Sequence, residues 1–259
     1  MEQTLERATK KTGFTLVELL VVISIISMLM AILLPALSSA RQMAKGVSCM
    51  SNLRQMSLAV QMYTNESDGY YPPAWVIYDD YSIVWCGKYY KEDGVKYIDV
   101  TEGPLWSYLQ EKQIMRCGTF SISHPQVKFT GSGEISGYGI NCQYVAGDPV
   151  VDLDDGAYGM TSYARPARVG QIRRPGETVL FGDCAQVKKS VHGEEIFIYP
   201  RFKHDGSEKK KTVHYRHRGK ANVVFCDGHT NSLAPELVEN EPIGEDRCYW
   251  IPNRLMDRN

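Results

Sequence analysis

An unbroken apolar stretch, followed by regularly spaced apolar positions, dominates the first quarter of the chain. The 24 residues from Phe14 to Leu37 contain a single charged side chain, Glu18. A stretch of this kind can cross a bilayer as a helix, because about 20 apolar residues are enough. Further on, apolar residues recur in steps of three and four from Met43 to Tyr63, which marks one face of a helix. The pattern predicts one long helix over residues 14–66, with a transmembrane part at about 14–37.

The pattern changes after this helix and predicts a globular domain over residues 67–259. Gly69 is suited to the helix C-terminus, since glycine accepts the left-handed conformation found there. Shorter apolar runs bounded by Gly and Pro then predict strands, and Pro104 opens a short helix. The predicted strands are Ala74–Tyr78, Tyr138–Val145, Glu177–Cys184, Glu195–Phe202, Ala221–Cys226 and His229–Leu233. The expected fold is α+β, with an antiparallel β-sheet domain and long loops packed on the second half of the helix.

A hairpin is predicted near the C-terminus. His217 is followed by nine residues and then by Asp227 and Gly228. Asp-Gly is a common two-residue hairpin turn, because glycine accepts positive φ and aspartate tolerates it. We therefore expect Asp227 and Gly228 to form the turn between the last two predicted strands.

Composition and motif content limit the partners and the catalytic or metal-binding activities that we expect of the protein. The net charge of −1 gives no electrostatic basis for binding nucleic acid. The seven cysteines include no C-x-x-C pair, so a zinc ribbon or a thioredoxin-like redox motif is not predicted. We also find no nucleophile-elbow, metalloprotease or phosphate-loop motif. The sequence thus predicts no enzyme, no cofactor and no metal site.

The junction between the basic leader and the apolar stretch carries a motif of its own. Residues 10–18 read K-K-T-G-F-T-L-V-E, which resembles the processing site of type IV prepilins and type II secretion pseudopilins. In that family a prepilin peptidase cleaves after the glycine and methylates the new N-terminus. The resemblance implies a cleaved leader at residues 1–13, a cut between Gly13 and Phe14, and N-methylation of Phe14. Glu18 becomes the fifth residue of the mature chain, where we expect it to act in assembly.

The C-terminal hairpin resembles a second family feature. The segment from His217 to Gly228 is similar to the H-x9-DG segment of a large subgroup of prepilin-like proteins. Sequence pieces at 48–55, 115–117, 137–141 and 174–183 also resemble that subgroup. We interpret His217, Asp227 and Gly228 as structural residues of this segment.

The resemblance implies a function, a location and a set of partners. The chain is expected to be a structural subunit of a type II secretion pseudopilus or of a type IV pilus-like filament. Its location is the inner membrane, crossed once with the N-terminus in the cytoplasm and the C-terminal domain in the periplasm, or an extracellular filament. The expected partners are the prepilin peptidase, other pilin or pseudopilin subunits, an inner-membrane assembly platform and the lipid bilayer.

One disulfide is predicted, since an extracytoplasmic domain can form such bonds. Cys49 lies on the predicted helix near the domain, and Cys117 follows the short helix that should pack beside it. We expect a Cys49–Cys117 bridge that joins this loop to the long helix.

Other interpretations of the same residues stay open. The apolar stretch is also compatible with an ordinary membrane anchor, or with a signal peptide cleaved after Ser38-Ser39-Ala40. Asp183, His217 and Asp227 could converge to bind a metal or to act as acid and base. The alternative function is a membrane-tethered glycan-binding, peptide-binding or hydrolytic domain. It rests on aromatics that the sequence suggests are exposed: Tyr70, Tyr71, Trp75, Tyr78, Tyr81, Trp85, Tyr89 and Tyr90.

Overall fold

The computed structural model describes the first helix and most of the domain that follows it. The described residues are 15–109, 111–120, 128–130, 137–142, 144–147, 149–150, 162–163, 166–188, 191–193, 196–198, 212–235 and 248–249. Within the chain two compact units are distinguished, Met1–Met43 and Ala44–Asn259. The fold is α+β and pilin-like, as predicted, with a long N-terminal apolar helix followed by antiparallel and mixed sheets.

Helix α1 runs from Leu16 to Glu66 and contains Pro35. Its end agrees with the prediction, because Gly69 has a φ of +80° and donates its N–H to the carbonyl of Thr64. The part of the helix that belongs to the second unit buries Cys49, Leu53, Met56 and Val60.

The predicted apolar face of α1 is correct over its last turns and wrong at its start. Leu53, Met56 and Val60 are buried as expected, but Val47 is exposed. Cys49, and not Val47 or Met50, continues the buried row toward the N-terminus. The steps 49, 53, 56 and 60 follow the helical repeat, so Val47 falls off that face.

Five strands form the first sheet of the domain. They are β1 (Trp75–Ile77), β2 (Tyr81–Val84), β3 (Gly87–Glu92), β4 (Val95–Asp99) and β5 (Lys128–Thr130). Neighbours in the chain are neighbours in the sheet, with β1 to β4 antiparallel and β5 parallel to β4. Short helical segments follow β4: a 3₁₀ turn at Val100–Glu102, helix α2 at Trp106–Leu109 and a 3₁₀ turn at Lys112–Met115. The short helix predicted after Pro104 is confirmed.

A second five-stranded sheet forms the centre of the domain. Its strands are β6 (Tyr138–Asn141), β9 (Val179–Asp183), β12 (Phe197–Ile198), β14 (Ala221–Phe225) and β15 (Thr230–Leu233). Their spatial order is β12-β6-β9-β14-β15, and every pairing is antiparallel except that of β12 with β6. Three two-stranded sheets complete the described part. They pair β7 (Pro149–Val150) with β8 (Ser162–Tyr163), β10 (Gln186–Lys188) with β11 (Val191–Gly193), and β13 (Val213–His214) with β16 (Cys248–Tyr249).

The central sheet is buried on both faces. Val224 of β14 belongs to the larger apolar cluster, which also contains Leu53 and Met56 of α1. Val223 and Phe225, one position to either side, belong to a second cluster. Successive side chains of a strand point to opposite faces, so β14 contributes to two cores. This strand lies between the two ends of the H-x9-DG segment.

Candidate functional site

The N-terminus of α1 is capped by three hydrogen bonds between Thr15 and Glu18. The backbone N–H and hydroxyl of Thr15 both donate to Oε2 of Glu18, at 2.8 and 2.7 Å. In return, the backbone N–H of Glu18 donates to the Thr15 hydroxyl at 3.3 Å. This is a capping box, which satisfies backbone donors that the first helical turn leaves free. Gly13 and Phe14, the predicted cleavage and methylation residues, lie outside the described residues.

The residues that follow Glu18 form an apolar surface all round the helix. The side chains from Leu16 to Leu37 are exposed, and their hydrophobic members include Val22, Ile26 and Leu33. In the described part of the chain, α1 is the one helix that is long and apolar enough to cross a membrane. An apolar N-terminal helix without protein packing fits a membrane-anchored protein.

The turn of the C-terminal hairpin differs from the prediction. Strands β14 and β15 end and begin at Phe225 and Thr230, so the connection is longer than two residues. Gly228 has the expected positive φ of +90°, but Asp227 does not have one. The reason lies in the backbone hydrogen bonds, because the N–H groups of Cys226 and Asp227 donate to Thr178 and Pro175 instead of continuing the hairpin ladder.

Asp227 holds this turn in place. Its Oδ1 accepts the backbone N–H of His229 at 3.0 Å and lies 2.6 Å from Nδ1 of the same residue. Burial raises the pKa of the Asp227 carboxyl, but the contacts with His229 outweigh burial and the net shift is downward. A Cβ at Gly176 would lie 3.0 Å from Asp227 Oδ2, so glycine at that position leaves room for the carboxylate.

The two ends of the H-x9-DG segment lie against different turns of helix α1. At one end, a Cβ on Gly46 would lie 3.6 Å from Nδ1 of His217. At the other, a Cβ on Gly228 would lie 3.0 Å from Nε2 of Gln61 and 3.5 Å from the Ser57 hydroxyl. Between them, Nδ2 of Asn222 donates to the carbonyl of Gly46 at 3.1 Å. The segment therefore fastens strand β14 along the second half of α1.

The structure brings together two of the three residues considered for metal or acid–base chemistry. Asp183 Oδ2 lies 3.3 Å from Nε2 of His217, and both side chains are buried. Asp227 belongs instead to the exposed hairpin turn, paired with His229. Of the three residues that could converge, Asp183 and His217 meet, whereas Asp227 lies in the turn, in agreement with its structural interpretation.

Two cysteines lie beside this pair. Sγ of Cys117 is 3.0 Å from Sγ of Cys49 and 3.6 Å from Nε2 of His217. Cys49 and Cys117 are fully buried and are free thiols in the structure. The two residues of the predicted bridge are thus neighbours, and the bridge itself stays a prediction.

The electrostatics of the cluster favour one negatively charged sulfur. The hydrogen bond between the two sulfur atoms lowers the pKa of the Cys117 thiol and raises the pKa of the Cys49 thiol. Burial lowers the pKa of His217, but the Asp183 carboxylate and the Cys117 sulfur outweigh burial and raise it to about 9. Burial raises the pKa of the Asp183 carboxyl against the opposing effect of Arg216.

The geometry is unlike that of a Cys-His-Asp nucleophile. In such a triad one imidazole nitrogen faces the nucleophile and the other faces the carboxylate. Here Cys117 and Asp183 both face Nε2 of His217, while Nδ1 is buried without a hydrogen-bond partner. The sulfur is also enclosed, which leaves no room for a substrate.

A cleft of about 300 Å³ opens beside the hairpin turn. It is lined in part by Gln61, Tyr71, Cys226 and Asp227. Burial raises the pKa of the Cys226 thiol to about 12, so this sulfur is protonated at neutral pH and is a poor nucleophile.

Of the eight aromatic residues suggested as an exposed binding face, two are buried, five are partly buried and one is exposed. Tyr71 and Trp85 are buried, and the indole N–H of Trp85 donates to the carbonyl of Ile196 at 2.8 Å. Tyr78 is exposed but stacks on Tyr81, with ring centroids 4.7 Å apart. The expectation of eight exposed aromatics is wrong, because Tyr71 and Trp85 belong to the core, and Trp75 and Tyr89 of the first sheet pack against that core.

Thr15 and Arg216 contribute to these sites but were not predicted from the sequence. Thr15 was identifiable, because T-x-x-E before an apolar run is the sequence pattern of a capping box. Arg216 gave no such signal. It lies 4.0 Å from Asp183, donates to the carbonyl of Cys184 at 2.7 Å and packs over the ring of Phe120.

Comparison with known proteins identifies one family feature. Residues 9–34 match the model of the prokaryotic N-terminal methylation motif. No curated protein and no solved structure matches the chain. The matched range includes the basic junction, Glu18 and most of the apolar stretch. Together with the long apolar helix, this motif supports a prepilin-like protein that is processed by a prepilin peptidase.

Proposed function

We propose that the chain is a structural subunit of a type II secretion pseudopilus or of a type IV pilus-like filament. The observation that carries the proposal is the methylation motif at residues 9–34, which extends into a long helix whose first part is apolar all round. Cleavage between Gly13 and Phe14 leaves a mature chain whose first residue is N-methyl-Phe14. The long helix then serves as a membrane anchor before assembly and as a packing element of the filament afterwards.

The domain is presented on the periplasmic side of the inner membrane or on the filament surface. The C-terminal segment from His217 to Gly228 contacts α1 near Gly46 and near Gln61, and we assign it a structural role within the H-x9-DG subgroup. The partners are the prepilin peptidase, other pilin or pseudopilin subunits and the assembly platform in the inner membrane. The motif points to a family whose members are typically structural.

Glu18 is the residue that links the anchor to assembly. A lone carboxylate in lipid is costly unless it is protonated or paired with a cation. In a filament the helix of one subunit lies beside the helix of the next, shifted along the axis. The methylated amine of Phe14 on a neighbouring subunit is then the nearest positive charge for Glu18. Desolvation offsets much of the attraction in such a pair, so its value is to set the register between subunits.

The capping box gives Glu18 a second role that an experiment must separate from the first. Glu18→Gln keeps a side chain that can accept the Thr15 hydrogen bonds but removes the charge. Thr15→Ala removes the capping partner and keeps the charge. Comparing these two variants with Glu18→Ala assigns the effect to the charge or to the cap.

Each variant is expressed in the native host, and processed subunit is measured in the membrane and in sheared filaments. We expect all three variants to insert and to be cleaved after Gly13. Filament yield should fall about tenfold or more for Glu18→Ala and Glu18→Gln, since about 1.4 kcal/mol lost per added subunit has that effect. Thr15→Ala should assemble nearly as well as the wild type.

Two results would contradict this assignment. Full assembly by Glu18→Gln would show that Glu18 only caps the helix. Full assembly by Glu18→Ala would show that Glu18 is not an assembly determinant in this chain.

A further inference from the structure

Four potential metal ligands from distant parts of the chain meet inside the domain. Cys49 lies on α1, Cys117 follows the 3₁₀ turn Lys112–Met115, Asp183 ends β9 and His217 precedes β14. The sulfur atoms of the two cysteines and one ring nitrogen of His217 lie within 4.8 Å of one another. We propose that Cys49, Cys117, His217 and Asp183 bind a zinc ion, or another thiophilic divalent cation, that ties the domain to the helix.

The strongest argument is that the donor atoms converge on one nitrogen. Nε2 of His217 lies 3.6 Å from the sulfur of Cys117 and 3.3 Å from Oδ2 of Asp183. A single N–H cannot point well at both acceptors, and a cation held by the two sulfur atoms and Nε2 removes this conflict. Oδ2 of Asp183, which also accepts the backbone N–H of Asn222 at 2.6 Å, is then the fourth donor.

The separations suit tetrahedral coordination. With Zn–S near 2.3 Å and Zn–N or Zn–O near 2.0–2.1 Å, neighbouring donor atoms lie about 3.3–3.8 Å apart. The sulfur–nitrogen and nitrogen–oxygen separations of 3.6 and 3.3 Å fall in this range. The sulfur–sulfur separation of 3.0 Å must open by several tenths of an ångström, which a change of side-chain rotamer can supply.

The charges also suit a divalent cation. Two thiolates and the Asp183 carboxylate bring three negative charges into a buried volume, which is costly without compensation. A divalent cation and the guanidinium of Arg216, whose Nε lies 4.0 Å from Asp183 Oδ1, bring three positive charges. The buried set is then neutral. Thiolate and imidazole ligands favour zinc over magnesium or calcium, which prefer oxygen.

The site has a structural use within the domain. Its ligands are distant in sequence, because Cys49 and Cys117 are 68 residues apart and Cys117 and His217 are 100 residues apart. Metal binding would hold three parts of the domain at one point. These are helix α1, the segment after the 3₁₀ turn Lys112–Met115, and the start of the H-x9-DG segment. All four ligand positions are enclosed, so no coordination site faces a substrate, which is typical of structural zinc.

The test uses the full-length chain purified in detergent without chelator. Zinc is measured by elemental mass spectrometry, and cobalt(II) is exchanged into the protein to record its absorption spectrum. We expect about one metal ion per chain, and for cobalt both thiolate charge-transfer and intense tetrahedral bands. Cys117→Ser and Asp183→Asn should lower metal retention at least tenfold, whereas Cys226→Ser, which removes a thiol outside the cluster, should retain it.

The wild-type measurements decide the question even if a variant fails to fold. Peptide mapping under non-reducing conditions, after alkylation of free thiols, is done on the same preparation. A Cys49–Cys117 disulfide in the mature protein would overturn the proposal and establish the bridge predicted from the sequence. Two free thiols without metal, in a protein that gains no cobalt bands, would overturn it as well.

Discussion

Single residues of the H-x9-DG segment act through backbone conformation and close contact. Gly228 and Gly219 both have positive φ, +90° and +79°, so an L-residue at either site is strained. Their surroundings differ, because a Cβ at Gly228 meets Gln61 and Ser57 of α1 whereas nothing lies within 4 Å of a Cβ at Gly219. The two glycines form a matched pair for separating strain from packing.

We predict that Gly228→Val destabilises the domain more than Gly219→Val. Left-handed conformation costs a non-glycine residue about 1–2 kcal/mol, and Gly219→Val should lose about that much. Gly228→Val must also displace side chains of α1, so its free energy of unfolding should fall further. Thermal unfolding of the two purified variants beside the wild type measures the difference. Equal losses would show that the hairpin turn does not rest on the helix.

At the residue scale the sequence identified some sites and not others. Asp183 and His217 were recognised as polar residues at neighbouring strand ends, and they meet at 3.3 Å. Asp227 lies in the turn, as interpreted from the sequence, but the form of that turn was not predicted. Its backbone N–H donates to the carbonyl of Pro175, a contact that no local pattern reveals. Arg216 was missed for a related reason, since its burial depends on Phe120, nearly a hundred residues away in sequence.

Among the elements, helix α1 changes character along its length. Periodicity predicted its start and its end, because both depend on local signals such as the apolar run and Gly69. It did not predict which residue begins the buried face, since that depends on where the central sheet approaches the helix. Cys49 is the first residue of the buried face, whereas Val47 is exposed.

The strands were predicted less well than the helix. Strand β9 was expected at Glu177–Cys184 and is found at Val179–Asp183, in the centre of the sheet. Strands β14 and β15 were each expected one residue longer at the turn. The order β12-β6-β9-β14-β15 and the parallel pairing of β12 with β6 arise from contacts distant in sequence, which local patterns do not encode.

The buried face of α1 yields a prediction with an internal control. Met56 is fully buried in the larger apolar cluster, whereas Met62 on the same helix is 52% exposed. We expect Met56→Ala to lower the free energy of unfolding by about 2–5 kcal/mol through lost burial and a residual cavity. Met62→Ala should change it by no more than about 0.5 kcal/mol. Chemical denaturation of the two variants in the same detergent measures both values, and similar values would contradict this packing.

In the whole molecule, the two parts of helix α1 have different surfaces and different roles. The residues from Leu16 to Leu37 have apolar side chains in all directions and no protein around them. The residues from Cys49 onward are part of a domain with its own core. The first surface is suited to lipid or to the helices of other subunits, and the second fixes a domain to be displayed. This division is what a filament subunit requires.

The central claim is that a processed form of this chain is built into filaments. The most direct measurement is mass spectrometry of the N-terminal peptide, taken from sheared filaments of the native host, with Gly13→Ala as the control for processing. We predict a subunit that begins with N-methyl-Phe14, and we expect Gly13→Ala to be cleaved slowly or not at all. An intact Met1, a start at Arg41, or a processed chain that is found in the membrane and never in filaments would contradict it.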